Sequence, residues 1–213
     1  MTTVLLVRHG QSRANLYHIF AGHSHFPLSD LGKVQTQLTA KYIAKNYKVD
    51  KIYSSDLLRA FDTACSVSEE LGIMPIITHP DLREINAGDW EGARNGELES
   101  ISPENFAKWK DDVANCACPN GETVAHMAER FYNKVAELAR ENDGKTIVIA
   151  THATPVRAMT TLVKHGTIEK MNEVAWAPNA SVTELCFENG TFTLKDESHD
   201  AHLANLSTSL WKM

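Results

Sequence analysis

Two short aliphatic runs each end on a histidine, Val4-Leu5-Leu6-Val7-Arg8-His9-Gly10 and Ile147-Val148-Ile149-Ala150-Thr151-His152-Ala153. Continuous aliphatic runs of this length read as strands buried on both faces, as in a parallel sheet covered by helices. In open sheets of that type, ligands sit just beyond the carboxyl ends of the strands. The two imidazoles are therefore expected to meet at one edge of such a sheet.

Helix and strand signals alternate along the rest of the chain. After the first strand comes a polar, aromatic segment at 10–28, long for a passive connection. Ser29 is placed to cap a helix in which Leu31, Val34, Leu38 and Tyr42 recur at helical spacing, ending near Asn46. Ile52 and Tyr53 supply a short strand, and a second helix follows with Leu57, Phe61, Ala64, Val67 and Leu71 on its apolar face and Gly72 as its stop. Arg59 falls off that face in the first turn, where it can point back over the strand end. Ile76 and Ile77 suggest a third strand. From 80 to 121 the pattern is broken by Gly88, Gly92, Gly96, Pro103 and Pro119, with only 106–109 hinting at a helical face. This stretch, at about 85–120, is expected to form a small lid over the sheet edge.

A long helix carrying Val124, Ala128, Phe131, Val135 and Leu138 leads through Asp143-Gly144 to the second histidine-tipped strand. Thr154-Pro155 reads as the cap and first position of another helix, running to about His165. Segments 182–187 and 191–194 flank Asn189-Gly190, a sequence favoured in tight hairpins. The expected architecture is α/β: a three-layer αβα sandwich with a mainly parallel sheet and an antiparallel edge strand, in one domain spanning 1–213.

Composition excludes several partner classes. A formal net charge of −6 over 213 residues argues against a nucleic-acid or anionic-membrane surface, which demands clustered Lys and Arg. No apolar stretch approaches the roughly 18 residues of a membrane helix, and the first strand begins almost at Met1, so a cytoplasmic protein without a signal peptide is expected. Cys65, Cys116, Cys118 and Cys186 follow no disulfide or zinc spacing and read as reduced thiols.

The chemistry centres on Arg8-His9-Gly10. A neutral imidazole is a competent nucleophile near pH 7, Gly10 lets the backbone approach an oxyanion, and Arg8 offers a planar fork of donors to phosphate oxygens. Ser12 and Asn15 follow at short spacing and can donate to the same oxygens or shape the loop. Arg59, at the start of the second helix, adds another guanidinium. Cleavage of a phosphate ester requires a proton for the departing alkoxide, and Glu84, beside the glycine-rich loop Gly88-Asp89-Trp90-Glu91-Gly92, is the best-placed carboxyl. Backbone N–H groups of Ala153 and Thr154 at a helix start can add to an anion site. Each feature alone has an ordinary explanation in solvation or packing; together they read as phosphoryl transfer through histidine.

Arg8-His9-Gly10-Gln11-Ser12 with Asn15, Ser54-Ser55-Asp56-Leu57-Leu58-Arg59-Ala60, Leu82-Arg83-Glu84, Pro119-x-Gly121-Glu122 and Thr151-His152 with Pro155-Val156-Arg157 occur in one order. In this the chain resembles the histidine phosphatase superfamily, which includes the 2,3-bisphosphoglycerate-dependent phosphoglycerate mutases. The likeness runs through Asn179-Ala180-Ser181-Val182 and weakly through Ala201-His202-Leu203. It implies a phosphoglycerate mutase-like fold and metal-independent, cofactor-free catalysis. It also implies a phosphorylated His9, binding of the transferring group by Arg8, Arg59 and His152, a proton donor at Glu84 and phosphate contact at Asn15. Gly22, Ser12 and Ala153 are carried as substrate-binding positions. Three rim positions depart from the usual pattern: Ala153 stands where glycine is common, His25 where aspartate is usual, and Ala21 where a polar residue often helps hold substrate. Gln11 stands where glutamate is frequent.

The segment between Gly92 and Pro119 is short and carries only Arg94, Lys108 and Lys110 as cations, whereas family mutases hold a longer, more basic insertion. Hydrolysis of small phosphomonoesters is therefore the first reading, and a mutase the second. From other classes come a noncatalytic phospho-ligand binding module and a metal-dependent hydrolase built on His23-x-His25 with His18 and His126, whose spacing fits no standard metal motif. The expected partner is a small phosphorylated substrate, with a homodimer as the protein partner left open. His79, His165 and His199 have no motif behind them, and Trp90, Phe106 and Trp109 read first as packing of the lid and second as contacts for an apolar substrate group.

Overall fold

The computed structural model describes residues 1–209, so the last four residues of the expected domain lie outside the described residues. In chain order the elements are β1 (Thr2–Arg8), α1 (Arg13–Leu16), α2 (Asp30–Asn46), β2 (Lys51–Ser54), α3 (Leu58–Leu71) and β3 (Ile77–Thr78). There follow α4 (Leu98–Ile101), α5 (Pro103–Asp111), α6 (Val124–Glu141), β4 (Thr146–Thr151), α7 (Ala153–His165), β5 (Val182–Glu188) and β6 (Thr191–His199). The strands form one six-stranded sheet in the order β3-β2-β4-β1-β5-β6. The first four are parallel, β5 runs antiparallel to β1, and β6 runs antiparallel to β5. The antiparallel edge is thus two strands deep, because Asn189 and Gly190, both at positive φ (50° and 83°), turn the chain back outside β5.

Alternation along the strands divides the core into two layers. Val4 and Leu6 of β1, with Ile147 and Ile149 of β4, face Phe131 and Val135 of α6 and Val156 and Met159 of α7. Leu5, Val7, Val148 and Ala150 face the other way, onto Ala40 and Ile43 of α2 and Ala64 and Val67 of α3. Arg8 pairs in register with Thr151, so the next residue of each strand, His9 and His152, leaves the sheet side by side.

Two local expectations need correction. Helix α2 buries Gly32, Gln35, Thr36, Thr39, Ala40 and Ile43 rather than the stripe of Leu31, Val34, Leu38 and Tyr42; Val34 is 44% exposed. The reason is what the helix rests on. Gly32 lies against the backbone of Gln11, Thr39 Oγ1 donates to the Ala180 carbonyl at 2.8 Å, and Gln35 Nε2 donates to the Leu206 carbonyl at 2.7 Å. A helix seated on loop backbone needs small and hydrogen-bonding residues there, so hydrophobicity alone points to the wrong face. Helix α7 begins two residues early, with His152 at its N-cap, which puts Pro155 third in the helix. The first-turn N–H groups have no intrahelical partner, so a proline is tolerated there.

The 85–120 segment holds α4, α5 and short 3-10 turns. Its Trp90, Leu98, Phe106, Trp109 and Val113 pack as a cluster that continues into Val124 and Met127 of α6 and Ala158 of α7. No helix among the described residues is long and apolar enough to cross a membrane.

Candidate active site

His9 is almost wholly buried, and its Nδ1 lies 2.7 Å from the Gly10 carbonyl. A carbonyl only accepts, so Nδ1 carries the proton and Nε2 presents the lone pair. Consistent with this tautomer, Arg59 Nε donates to His9 Nε2 at 3.2 Å. Gly10 permits the arrangement by close approach: a Cβ there would stand 2.6 Å from the Gly32 carbonyl oxygen of α2. Burial holds the His9 imidazole well below its usual pKa, and the charges of Arg59 and Arg8 push it the same way, so the ring is neutral at pH 7.

Arg8 is fully buried at the end of β1. Its Nη1 donates to the Ala177 carbonyl, while Nε and Nη2 have no partner among the described residues. Burial draws its pKa down to about 9, with Glu84 opposing and Arg59 adding to the fall. A buried guanidinium with open N–H groups is costly unless an anion meets it.

Arg59 is also buried, and burial pulls it down to about 10 against the opposing charges of Glu84 and Glu91. Besides His9 it donates through Nη1 to Ser24 O (2.9 Å) and through Nη2 to Ala21 O (2.7 Å) and Gly22 O (2.9 Å). Four of its five N–H groups are engaged, where the sequence suggested a guanidinium free for phosphate. From the opposite side the Glu91 carboxylate accepts from His23 N and Ser24 N, so the 21–24 loop is gripped by two charges. Gly22 is enclosed by this grip, since a Cβ would meet Glu91 Oε1 at 2.4 Å, and it lies outside the pocket lining. Its carbonyl reaches the site only through Arg59.

His152 is fully buried, with its ring centroid 5.3 Å from that of His9. Its Nε2 lies 2.9 Å from Ser55 Oγ, and its Nδ1 has no partner among the described residues. Ser55 Oγ accepts from Leu57 N at 3.2 Å, and its own proton has one acceptor to go to, His152 Nε2. That assignment leaves the imidazole proton on Nδ1, as an open donor. Burial, followed by the charges of Arg59 and His9, holds this ring well below its usual pKa as well.

Glu84 Oε1 accepts from Ile85 N at 2.9 Å and Oε2 from Thr154 N at 3.3 Å. The Thr154 amide expected to face an anion therefore faces this carboxylate instead. The Glu84 carbonyl is held by Arg130 Nη2 (2.7 Å) and lies 3.0 Å from His23 Nε2, and Arg130 is in turn paired with Glu122. Ser12 and Asn15 cap α1 reciprocally: Ser12 Oγ accepts from Asn15 N and donates to Asn15 Oδ1, which also accepts from Asn179 Nδ2. The Ser12 hydroxyl is thereby engaged, and the Asn15 amide NH2 is the group left to a ligand.

Arg8, His9, Ser12, Asn15, Arg59, Glu84 and Ala153 line one pocket, while His152 is buried behind it and is not part of the lining. Its remaining wall includes Ile19, Phe20, Asn95 and Trp176, which sequence reasoning missed, and Trp109, whose contact with an apolar substrate group was only the second reading. Neither Asn179 nor Ser55 was singled out, although both stand in the quoted motifs. The histidines considered for a metal are engaged separately: His25 Nδ1 accepts from Leu58 N at 3.4 Å, and His126, in the first turn of α6, pairs with Glu122. Among the described residues no group of three or more His, Cys, Asp or Glu is arranged to hold a metal.

Taken together, the site offers a neutral imidazole with its lone pair outward, cationic donors for a tetrahedral oxyanion and one carboxyl for proton transfer. Comparison with known proteins gives the family. The family model of the histidine phosphatase superfamily (branch 1) matches residues 4–199. Phosphoglycerate mutase-like protein 4 of Arabidopsis thaliana is 31% identical over 157 residues, covering 73% of this chain and 68% of that protein. Phosphoserine phosphatase 1 of Hydrogenobacter thermophilus is 30% identical over 159 residues, covering 75% and 74%. Among solved structures, the mycobacterial glucosyl-3-phosphoglycerate phosphatase complexed with VO3 superposes with a TM-score of 0.85 at 27% identity, over 93% of this chain and 99% of that one.

Proposed function

This chain belongs to the histidine phosphatase superfamily, and from that premise we propose that it hydrolyses small phosphomonoesters through a phosphohistidine formed at Nε2 of His9. The observation that carries the reading is the pairing of an Nε2 lone pair with buried guanidinium and imidazole N–H groups that have no partner among the described residues.

The steps follow from the donor geometry. An incoming phosphoryl group meets the open Nε and Nη2 of Arg8, Nδ1–H of His152 and the amide of Asn15. Arg59 Nε–H passes from His9 Nε2 to a phosphoryl oxygen, which frees the lone pair for in-line attack. The P–O bond to the alcohol breaks as the N–P bond forms, and Glu84, in its acid form, delivers a proton to the departing oxygen. The Nδ1–H bond to the Gly10 carbonyl supports the positive charge that develops on the ring. In the second half, Glu84 as carboxylate takes a proton from water as its oxygen attacks phosphorus, and His9 and phosphate are released. Fixed donors around the equatorial oxygens stabilise both transition states without reorganising.

Among the described residues no cation beyond Arg8 and Arg59 lines the pocket to rebind a phosphorylated acid, which favours the hydrolase over the mutase. The four cysteines are all free, as suits a reducing cytoplasm, and the substrate partner is a small molecule. A quench during turnover of a radiolabelled phosphomonoester is expected to leave acid-labile, alkali-stable label on the protein. In His9→Ala that label is absent and kcat falls about a thousandfold or more. Phosphoglycerate isomerisation with little free phosphate identifies a mutase instead, and ligand binding without turnover identifies a binding module.

A further inference from the structure

The wall of the pocket differs in kind from its floor. Phe20, Trp109 and Trp176 form a connected aromatic surface, with ring centroids 5.2 Å apart for the first pair and 5.9 Å for the second. Ile19 and Ala21 extend it, and Asn95 is neutral. Behind this surface Trp90 packs on both Phe20 and Trp109, at 5.6 and 6.1 Å. The Arg157 guanidinium sits 4.3 Å from the Trp176 ring and is tied by Nε to the Val174 carbonyl, so the indole is braced. The rings are therefore set before any ligand arrives.

Among the described residues the same pocket has no cation to spare for a second anion. Its cations are Arg8 and Arg59; the open donors of the first face the phosphoryl position, and four N–H groups of the second hold His9 and the 21–24 loop. Arg94, Lys108 and Lys110 are exposed and stand outside the lining. A carboxylate on the substrate would lose water against aromatic rings and face Glu84.

We propose that this site selects phosphomonoesters whose alcohol carries a flat, uncharged, apolar group, and that it discriminates against phosphorylated carboxylic acids. The proposal rests on the phosphatase reading above. It separates this chain from relatives whose names give phosphoserine or glucosyl-3-phosphoglycerate as substrate. The aromatic surface supplies the attraction and the missing cation supplies the rejection, the two halves of any specificity.

The test compares kcat/KM for 2-(1-naphthyl)ethyl phosphate, glycerol 3-phosphate, O-phosphoserine and 3-phosphoglycerate, all alkyl esters, so that leaving-group basicity does not decide the order. The naphthylethyl ester is expected to exceed the two acids by about a hundredfold, with glycerol 3-phosphate between. Trp176→Ala is expected to narrow the ratio of naphthylethyl ester to phosphoserine by about tenfold. Asn95→Arg narrows it from the other side, by raising turnover of the acids, and serves where the tryptophan variant folds poorly. Acids turned over as fast as the naphthylethyl ester overturn the proposal and leave the phosphatase reading standing. So does a ratio that neither variant narrows. No turnover of any ester, with no label on His9, overturns both.

Discussion

The floor and the wall of the pocket are built by different physics. The floor is a product of strand register: pairing Arg8 with Thr151 places His9 and His152 side by side, and the first turn of α3 brings Arg59 onto them. Its polar atoms are under-satisfied, with open donors on Arg8 and His152. The wall is a product of packing among Phe20, Trp90, Trp109 and Trp176, elements far apart in the chain and already in contact with one another. Unmet hydrogen-bonding groups call for a ligand of defined charge, whereas a finished apolar surface only ranks the ligands that arrive. Chemistry and selection are therefore separable here, and variants of the two regions should fail differently.

The largest effect that tests this division is expected at the carboxyl of the floor. Glu84→Gln keeps the side chain's shape but removes its proton. Turnover of an alkyl phosphate is expected to fall about a hundred- to ten-thousandfold. With 4-nitrophenyl phosphate, whose leaving group needs no proton, formation of phosphohistidine stays fast while its hydrolysis is slow, so stopped-flow should show a burst of nitrophenol near one equivalent per site. Equal losses in both phases would place the acid elsewhere.

The same division explains what the sequence did and did not make legible. His9, Arg8 and His152 sit at the tips of unmistakable strands, so the sheet and its functional edge follow from aliphatic runs alone. Ser12, Thr154 and Arg59 are different: their types suit phosphate, but the fold engages the Ser12 hydroxyl with Asn15, the Thr154 amide with Glu84 and most of the Arg59 guanidinium with loop carbonyls. A sequence displays donors without displaying the acceptors that claim them. Helix α2 misleads for a related reason, since Gln35 and Thr39 are buried by hydrogen bonding to backbone, which no hydrophobic periodicity reveals. The wall was least legible. Phe20, Trp109 and Trp176 share no spacing, and Trp109 is both a packing residue of the 85–120 segment and a face of the pocket.

A smaller effect is expected one step behind the reacting atoms. Ser55 touches no substrate position; it fixes which nitrogen of His152 carries the proton. Ser55→Ala leaves His152 Nε2 without its donor and lets the proton move to that atom, withdrawing Nδ1–H from the anion. The expected loss is about tenfold in kcat, the worth of one neutral hydrogen bond of roughly 1.4 kcal/mol. Ser55→Thr, which keeps the hydroxyl, should recover most of it. Nitrogen-15 spectra of His152 should show the Nδ1–H tautomer in the wild type and a mixture in the alanine variant. An unchanged tautomer alongside reduced kcat would reduce Ser55 to a packing role.

The smallest effect is expected in the wall. Trp109→Phe keeps an aromatic ring against Phe20 and Trp176 but shortens the surface offered to an apolar leaving group. Losing part of such contacts, each worth about 0.5–1.5 kcal/mol, should raise KM for 2-(1-naphthyl)ethyl phosphate about threefold. The proposed nucleophile His9 and proton donor Glu84 are untouched, so kcat should hold within about twofold. Because Trp109 is also core to its own segment, the thermal midpoint should be measured beside the kinetics, and a fall of a few degrees is expected from the gap left behind. Should kcat drop as far as in Ser55→Ala while KM stays put, the wall would be transmitting strain to the floor, and the separation of selection from chemistry would fail at a residue that both packs its own segment and faces the pocket.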